Sequence, residues 1–316
     1  MLRRVRKHAG TIAVALVTAA ATAAAPAVAR TVADFAKKAG FAKKAGKAKK
    51  ANFATNAGRL DGLDSTAFSG TSHTHDLRYQ LKYTRTVVVG AVGTAEQNGA
   101  ALMGAVNSIT NASDANRFLV KVEPGIYDLG PLPLQMKPFV DIEGSGELST
   151  RITGVGGVDA FEGSTLHGAD DSELRFLTVQ NTGGPSQALA IAIYNSAAAL
   201  RMTHVTAEAV GNGADAAYGV YNRQSAPAMV DSAANAAGAS SNAGIRNAAD
   251  DNSFTITIDG SRISGTTNSI VNDAEFTTFV GASKLSGGPV IMGGGVVKCA
   301  GVYDEDYDFL PSTCPS

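Results

Sequence analysis

The pattern of apolar and polar positions predicts one helix followed by many short strands. Residues 86–89 form a β-branched run, which is typical of a strand. Within residues 96–110, Leu102, Val106 and Ile109 recur at helical spacing. Further short strands are predicted at residues 118–122, 126–129 and 140–142. This order indicates a capping helix in front of a region rich in strands.

Two interleaved repeats occupy the second half of the chain. Five glycines, each ending a strand-like stretch, are spaced 28, 27, 27 and 22 apart: Gly183, Gly211, Gly238, Gly265 and Gly287. Between them lies a second series of four asparagines, spaced 27, 25 and 25 apart: Asn195, Asn222, Asn247 and Asn272. Two positions before each asparagine stands an apolar residue. Two series at one period predict a stacked solenoid whose coils have at least two strands each.

In such a solenoid, equivalent positions of successive coils lie above one another, so the inward-facing apolar residues and the asparagines would each form a ladder. Asparagine suits a bend because it tolerates left-handed backbone and hydrogen-bonds its neighbours. We therefore expect a structural role for the asparagines rather than a binding role. The composition agrees, because the chain has 35 Gly, no Trp and only 6% aromatic residues, and small side chains suit every layer of a stack.

A different pattern precedes the strands. Nine alanines recur at every third position: Ala33, Ala36, Ala39, Ala42, Ala45, Ala48, Ala51, Ala54 and Ala57. A step of three would spread them around a helix without forming a stripe, whereas it suits a slender fibre of several chains. For the basic part up to Lys50, a low-complexity linker is an equally good interpretation.

The N-terminal segment, residues 1–29, predicts an export signal. Arg3, Arg4, Arg6 and Lys7 precede an apolar stretch, and Ala27-Val28-Ala29 forms a small-x-small cleavage site. We expect cleavage after Ala29 and a secreted, extracellular protein. An uncleaved membrane anchor is the alternative, although the stretch is barely long enough to span.

The net charge of −1 is an average of opposites. Residues 1–29 carry +4, residues 30–60 carry +8, and the remainder carries 14 − 27 = −13. The acidic part repels phosphate, so we expect no nucleic-acid partner. The seven lysines of residues 37–50 could instead hold the molecule to an anionic cell envelope.

Residues 52–83 resemble the stem and neck of phage tail-fibre proteins and of similar secreted bacterial proteins, which are homotrimers. The resemblance rests on ANFATNAGRLDGLDSTAF and on HTHDLRY, which contains His73 and His75. In some tail fibres, such a pair from three chains binds a metal ion at the threefold axis. The resemblance therefore implies a homotrimer with His73 and His75 as metal ligands; a solvated polar turn is the alternative.

Residues 118–154 resemble the opening turns of pectin methylesterases and other pectin-lyase-like proteins. The resemblance implies an all-β fold, a right-handed parallel β-helix, which we place at residues 84–298. The last residues, 299–316, would cap the open end of the solenoid. We expect a disulfide between Cys299 and Cys314, contributing about 3 kcal/mol. The acidic group Asp304, Glu305, Asp306 and Asp308 suggests a calcium site. A solvated turn is the better interpretation, because the group lacks the 12-residue loop pattern of a known calcium site.

Catalytic motifs of this fold are incomplete in the sequence, so no catalytic or cofactor-binding residue is assigned. Five arginines could line one face of the coil, although we rather expect each to cap a coil or to pair with a surface carboxylate: Arg175, Arg201, Arg223, Arg246 and Arg262. His167 and His204 have no carboxylate at supporting spacing.

Three functions remain open. The first is a secreted, non-enzymatic protein that binds a polysaccharide or cell-surface glycan, with Tyr194, Tyr218 and Tyr221 as its clustered aromatic candidates. The second is a polysaccharide lyase or depolymerase that uses Asp and Arg residues of neighbouring coils. The third is a structural protein of the cell envelope.

Overall fold

The computed structural model describes residues 59–60, 63–64, 82–184 and 187–314. In the unit formed by residues 1–80, strands β1 (Arg59–Leu60) and β2 (Leu63–Asp64) pair in antiparallel fashion. The predicted export signal, most of the predicted stem, and the candidate ligands His73 and His75 lie outside the described residues. No helix within the described ranges is long and apolar enough to span a membrane.

The second unit has one helix, α1 (Ala95–Ser108), in its described residues. Its strands, in chain order, are β3 (Arg85–Val89), β4 (Phe118–Val122), β5 (Gly125–Asp128), β6 (Leu134–Gln135), β7 (Val140–Glu143), β8 (Thr150–Gly154), β9 (Ser164–His167), β10 (Glu173–Asn181), β11 (Leu189–Ser196), β12 (Arg201–Val210), β13 (Ala216–Arg223), β14 (Ala228–Val230), β15 (Ala233–Ala237), β16 (Ser241–Ala248), β17 (Phe254–Asp259), β18 (Arg262–Gly265), β19 (Asn268–Asp273), β20 (Phe276–Gly281), β21 (Lys284–Gly287), β22 (Ile291–Gly293) and β23 (Val296–Ala300).

These strands form three parallel sheets, each of which stacks one strand per coil. Sheet A contains β3, β4, β7, the first halves of β10 and β12, β14, β17, β20 and β23. Sheet B contains β5, β8, the second halves of β10 and β12, β15, β18 and β21. Sheet C contains β6, β9, β11, β13, β16, β19 and β22. The chain is thus a right-handed parallel β-helix, as predicted, with up to three strands in each coil.

Sheets A and B join through a left-handed bend. The strands β10 and β12 continue through this bend at Phe176 (φ 56°) and His204 (φ 52°). In the following coils Asp231, Gly260 and Ala282 also have positive φ. Repetition of this backbone geometry turns the chain from one sheet into the next at the same place in each of these coils.

Helix α1 covers the N-terminal end of the solenoid and confirms the predicted capping helix. Thr94 begins it with a capping box, because its side chain accepts from the Gln97 amide while the Gln97 side chain accepts from the Thr94 amide. Leu102 and Val106 are fully buried in the core. Gly99 allows close contact, since a Cβ there would lie 1.9 Å from the carbonyl oxygen of Asp128.

The four repeated asparagines form an internal ladder. They are in register in sheet C and are at most 1% exposed. Each Nδ2 donates to the Oδ1 of the next asparagine, at 2.9 Å from Asn195 to Asn222, 2.8 Å from Asn222 to Asn247, and 2.9 Å from Asn247 to Asn272. The ladder gives the buried Nδ2 groups their acceptors inside the stack, whereas Asn195 Oδ1, at the end of the ladder, has no partner among the described residues. The predicted structural role is confirmed, but the asparagines lie within strands and not at a left-handed bend.

The glycine repeat is less regular than its spacing predicts. Gly265 pairs with Gly287, but its partner in the preceding coil is Ala236 rather than Gly238. Ala236 itself pairs with Ala209 in the coil before, so the step from Ala236 to Gly265 is longer than the step that leads to Ala236. A longer turn around Asp250 causes this change, and the glycines fall into two columns.

The C-terminal segment ends the solenoid with the predicted disulfide. Cys299 in β23 bonds to Cys314, with their Cα atoms 5.5 Å apart. The Cys299 amide donates to the carbonyl oxygen of Ser312 at 2.9 Å, and the Leu310 amide donates to that of Val302 at 2.8 Å. The segment after β23 is therefore tied to the last coil.

Candidate functional site

The outer face of sheet C carries five aromatic side chains, here called the aromatic row. His167 and Tyr194 pair in register, as do Tyr194 and Tyr221, and the ring centroids of each pair are 5.3 Å apart. Phe161 lies edge-on to His167 at 4.3 Å, and Tyr218 lies 5.4 Å from Tyr221. The structure therefore brings together the three tyrosines that the sequence suggests as a cluster, and adds Phe161 and His167.

Strand alternation places Tyr194 and Tyr221 on the outside. Ile193 and Val220 point into the hydrophobic core, so their neighbours Tyr194 and Tyr221 point the other way. Tyr194 is only 6% exposed, whereas Tyr218 and Tyr221 are half-buried and Phe161 is 53% exposed. Ring surface is thus accessible at both ends of the row, whereas its centre, formed by His167 and Tyr194, is buried.

One end of the row is built by the loop of residues 155–163, between β8 and β9. Asp159 Oδ1 accepts the amides of Phe161 and Glu162, each at 2.8 Å. His167 Nε2 lies 3.1 Å from the carbonyl oxygen of Phe161, which can only accept, so Nε2 carries the proton. Burial lowers the pKa of His167, so its ring is neutral at pH 7 and serves to hold the loop.

The other end of the row combines phenols with charged groups. Burial raises the pKa of Tyr218 and of Tyr221, so both hydroxyls are protonated at neutral pH and can donate or accept hydrogen bonds. Arg246 is the register partner of Tyr221 in the next coil. Its guanidinium binds Asp273 through two contacts, at 2.7 and 2.9 Å. Ring surface and directional polar groups therefore lie side by side.

A second polar cluster lies on the outer face of sheet A, around Asp141, whose side chain is 3% exposed. Asp141 accepts the Tyr83 hydroxyl at 2.6 Å and the Glu173 amide at 2.8 Å, and it pairs with Lys82 at 2.9 Å. Arg175 binds Glu173 at 2.9 Å. We call these five residues, together with Glu143 and Lys121, the ion network. It fastens residues 82 and 83 to the side of the β-helix.

A groove of about 330 Å³ opens beside the ion network and is lined by Lys82, Arg117, Asp141, Asp170, Asp171, Ser172, Glu173, Ala199 and Arg201. The carboxylates of the network have partners: Glu143 binds Lys121 and Arg175, and Glu173 binds Lys82 and Arg175. A general acid needs a raised pKa. Glu143 and Glu173 are held ionised, which indicates a structural role for them rather than a role as general acid.

We expect the ion network to lose its stabilising effect in acid. Burial alone would raise the pKa of Glu143 and Glu173, but hydrogen bonds, from Lys121 to Glu143 and from Lys82 to Glu173, hold each pKa below its usual value. For a lowered pKa, stabilisation is complete above the unfolded value of about 4.3 and is lost as the pH falls through the folded value. The melting temperature of Glu173→Gln should be well below that of the wild type at pH 7, and the gap should close towards pH 3. A gap that stays constant would contradict this expectation.

The five arginines do not line one face of the coil. Arg175 and Arg201 lie on sheet A, Arg223 and Arg246 on sheet C, and Arg262 on sheet B. The reason is that the coil has three sheets and the arginines, which are spaced 26, 22, 23 and 16 apart, do not follow one column of the stack. The alternative, pairing with carboxylates, is confirmed for the first four.

The remaining candidates are separate from the aromatic row. His204 lies at the bend between sheets A and B, stacked on Phe176 with ring centroids 5.2 Å apart. Asp304 Oδ1 accepts the amides of Asp306 and Asp308, both at 3.0 Å, which favours the turn interpretation of this acidic group. Within the described ranges, no group of three or more His, Cys, Asp or Glu is placed to hold a metal ion.

Three solved structures illustrate the similarity of this chain to known proteins. A pectin methylesterase in complex with a hexasaccharide is 9% identical over 74% of this chain and 92% of its own, with a TM-score of 0.42. The ORF18 protein of Geobacillus virus E2 is 10% identical over 69% of this chain and 60% of its own, with a TM-score of 0.36. The A-module of a mannuronan C-5 epimerase from Azotobacter vinelandii is 17% identical over 66% and 71%, with a TM-score of 0.33. No family model and no curated protein sequence matches the chain.

Proposed function

We propose that the protein binds a glycan through the outer face of sheet C. The observation that carries the proposal is the aromatic row, in which five aromatic side chains lie together with accessible ring surface at Tyr218, Tyr221 and Phe161. Aromatic rings offer a rigid apolar surface for the C–H face of a sugar, and tyrosine adds a polar end. A few directional polar groups beside an apolar surface are typical of ligand sites.

We further propose that this face belongs to a secreted, non-enzymatic, tail-fibre-like molecule. The stem expected in residues 52–83 would join three heads, and three linked sites would bind a surface more strongly than one through their effective concentration. Light scattering on the secreted protein should give the mass of a trimer. A monomer at all concentrations would remove the trimer from the proposal and leave the binding face in place.

Replacing Tyr221 by alanine should weaken glycan binding about tenfold, because loss of one aromatic contact costs about 1–1.5 kcal/mol. A glycan array identifies the ligand, and titration calorimetry then compares the wild type with the variant. Tyr307→Ala is the matched control, since Tyr307 is 73% exposed on the C-terminal segment and stacks on Tyr303 rather than on the row. Equal losses in the two variants, or an array without any bound glycan, would contradict the proposed function.

A further inference from the structure

We propose that the glycan bound by the outer face of sheet C is uncharged, and that this face rejects uronates and other anionic glycans. The inference rests on the proposed function and concerns the charges around the aromatic row. Each arginine near the row is already paired with a carboxylate, and the carboxylates outnumber the arginines.

Arg246 has little capacity left for an anionic ligand. Its two terminal nitrogens bind the two oxygens of Asp273, and Nη1 also donates to the carbonyl oxygen of Asn247 at 2.7 Å. Its side chain is 22% exposed. A two-contact pair of this kind neutralises the guanidinium in the geometry that a ligand carboxylate would need.

Arg223 is paired as well, in a more exposed position. It lies 3.2 Å from Asp250, which also accepts from Gln224 at 3.5 Å. Asp251 adds a second carboxylate in the same turn and accepts from Gln224 at 3.4 Å. This turn is therefore net negative and retains free acceptor oxygens.

The opposite end of the row is acidic too, because the loop that carries Phe161 contains Asp159 and Glu162. The charged groups around the row are two arginines, Arg223 and Arg246, and five carboxylates: Asp159, Glu162, Asp250, Asp251 and Asp273. The face thus has a formal charge of 2 − 5 = −3. Like charges facing each other across an interface oppose binding, whereas sugar hydroxyls can donate to the spare carboxylate oxygens.

The test uses pairs of oligosaccharides that differ in charge alone. Titration calorimetry of the full secreted chain compares mannohexaose with mannuronate hexamer, and galactohexaose with galacturonate hexamer, followed by polyuronates from an array and their carboxyl-reduced derivatives. We expect binding of a neutral member at least tenfold tighter than that of its acidic partner, and little change between about 50 and 500 mM NaCl. Tighter binding of the acidic members would overturn the inference and leave the proposed function standing. Absence of binding by every member would overturn the proposed function itself.

A charge-changing variant tests the same inference from the opposite side. Asp273→Asn frees Arg246 and removes one negative charge, so it should increase the affinity for the uronate hexamers at least tenfold. Asp259→Asn removes the same charge from an exposed position on sheet A and serves as the control. Equal effects of the two variants, or no gain in Asp273→Asn with an unchanged circular dichroism spectrum, would contradict the inference.

Discussion

Replacing Asn247 by alanine is expected to lower the free energy of unfolding by about 3–4 kcal/mol. Asn247 lies in the middle of the asparagine ladder and is fully buried. Its Oδ1 accepts from Asn222 at 2.8 Å, and its Nδ2 donates to Asn272 at 2.9 Å and to Thr278 at 3.2 Å. The variant leaves the Asn222 amide without its acceptor and opens a small cavity between coils.

Denaturant unfolding followed by circular dichroism measures this effect as a shift of the midpoint. Asn235→Ala is the matched control, because Asn235 lies partly exposed on the outer face of sheet B. We expect the control to change the free energy of unfolding by at most about 0.5 kcal/mol. Similar midpoints for Asn247→Ala and Asn235→Ala would contradict the role assigned to the ladder.

Replacing Asp141 by asparagine is expected to lower the free energy of unfolding by about 3 kcal/mol, because it removes the charge of a nearly buried carboxylate that accepts three contacts. Asp141 is the acceptor for the Tyr83 hydroxyl, the Glu173 amide and the Lys82 ammonium. An asparagine has one acceptor oxygen and no charge, so it cannot replace both carboxylate oxygens or pair with the Lys82 ammonium. Residues 82 and 83 should then separate from the side of the β-helix.

The melting temperature and the rate of proteolysis near residue 82 measure the two consequences. Asp114→Asn is the matched control, since Asp114 is 84% exposed in its pair with Arg117 and such a surface pair contributes about 0–1 kcal/mol. An Asp141→Asn protein as stable and as protease-resistant as Asp114→Asn would show that the ion network does not fasten this segment.

The repeat made the fold predictable, because stacking imposes its period on the sequence. The spacing of the asparagines, 27, 25 and 25, is the register of sheet C. The same register placed Tyr194 over Tyr221. His167 could have been found by the same signal, since it lies one coil before Tyr194 and pairs with it.

Features outside the repeat could not be predicted in this way. Phe161 reaches the aromatic row from the loop of residues 155–163, and the position 27 residues later is Ala188, so the repeat carries no aromatic signal there. The ion network joins Tyr83, which precedes the solenoid, to the distant Asp141, and no periodicity connects them. The sequence also did not predict the third strand of each coil, because two repeating series require only two strands.

Hydroxyl-radical footprinting of the full chain with and without its glycan tests the central claim most directly. The chain has eight tyrosines, which react readily with hydroxyl radicals and therefore report on protection. We expect the bound glycan to protect Tyr218 and Tyr221 and to leave Tyr303 and Tyr307 unchanged. Protection beside the groove of sheet A, with Tyr218 and Tyr221 as reactive as in the free protein, would contradict the assignment of the binding face to sheet C.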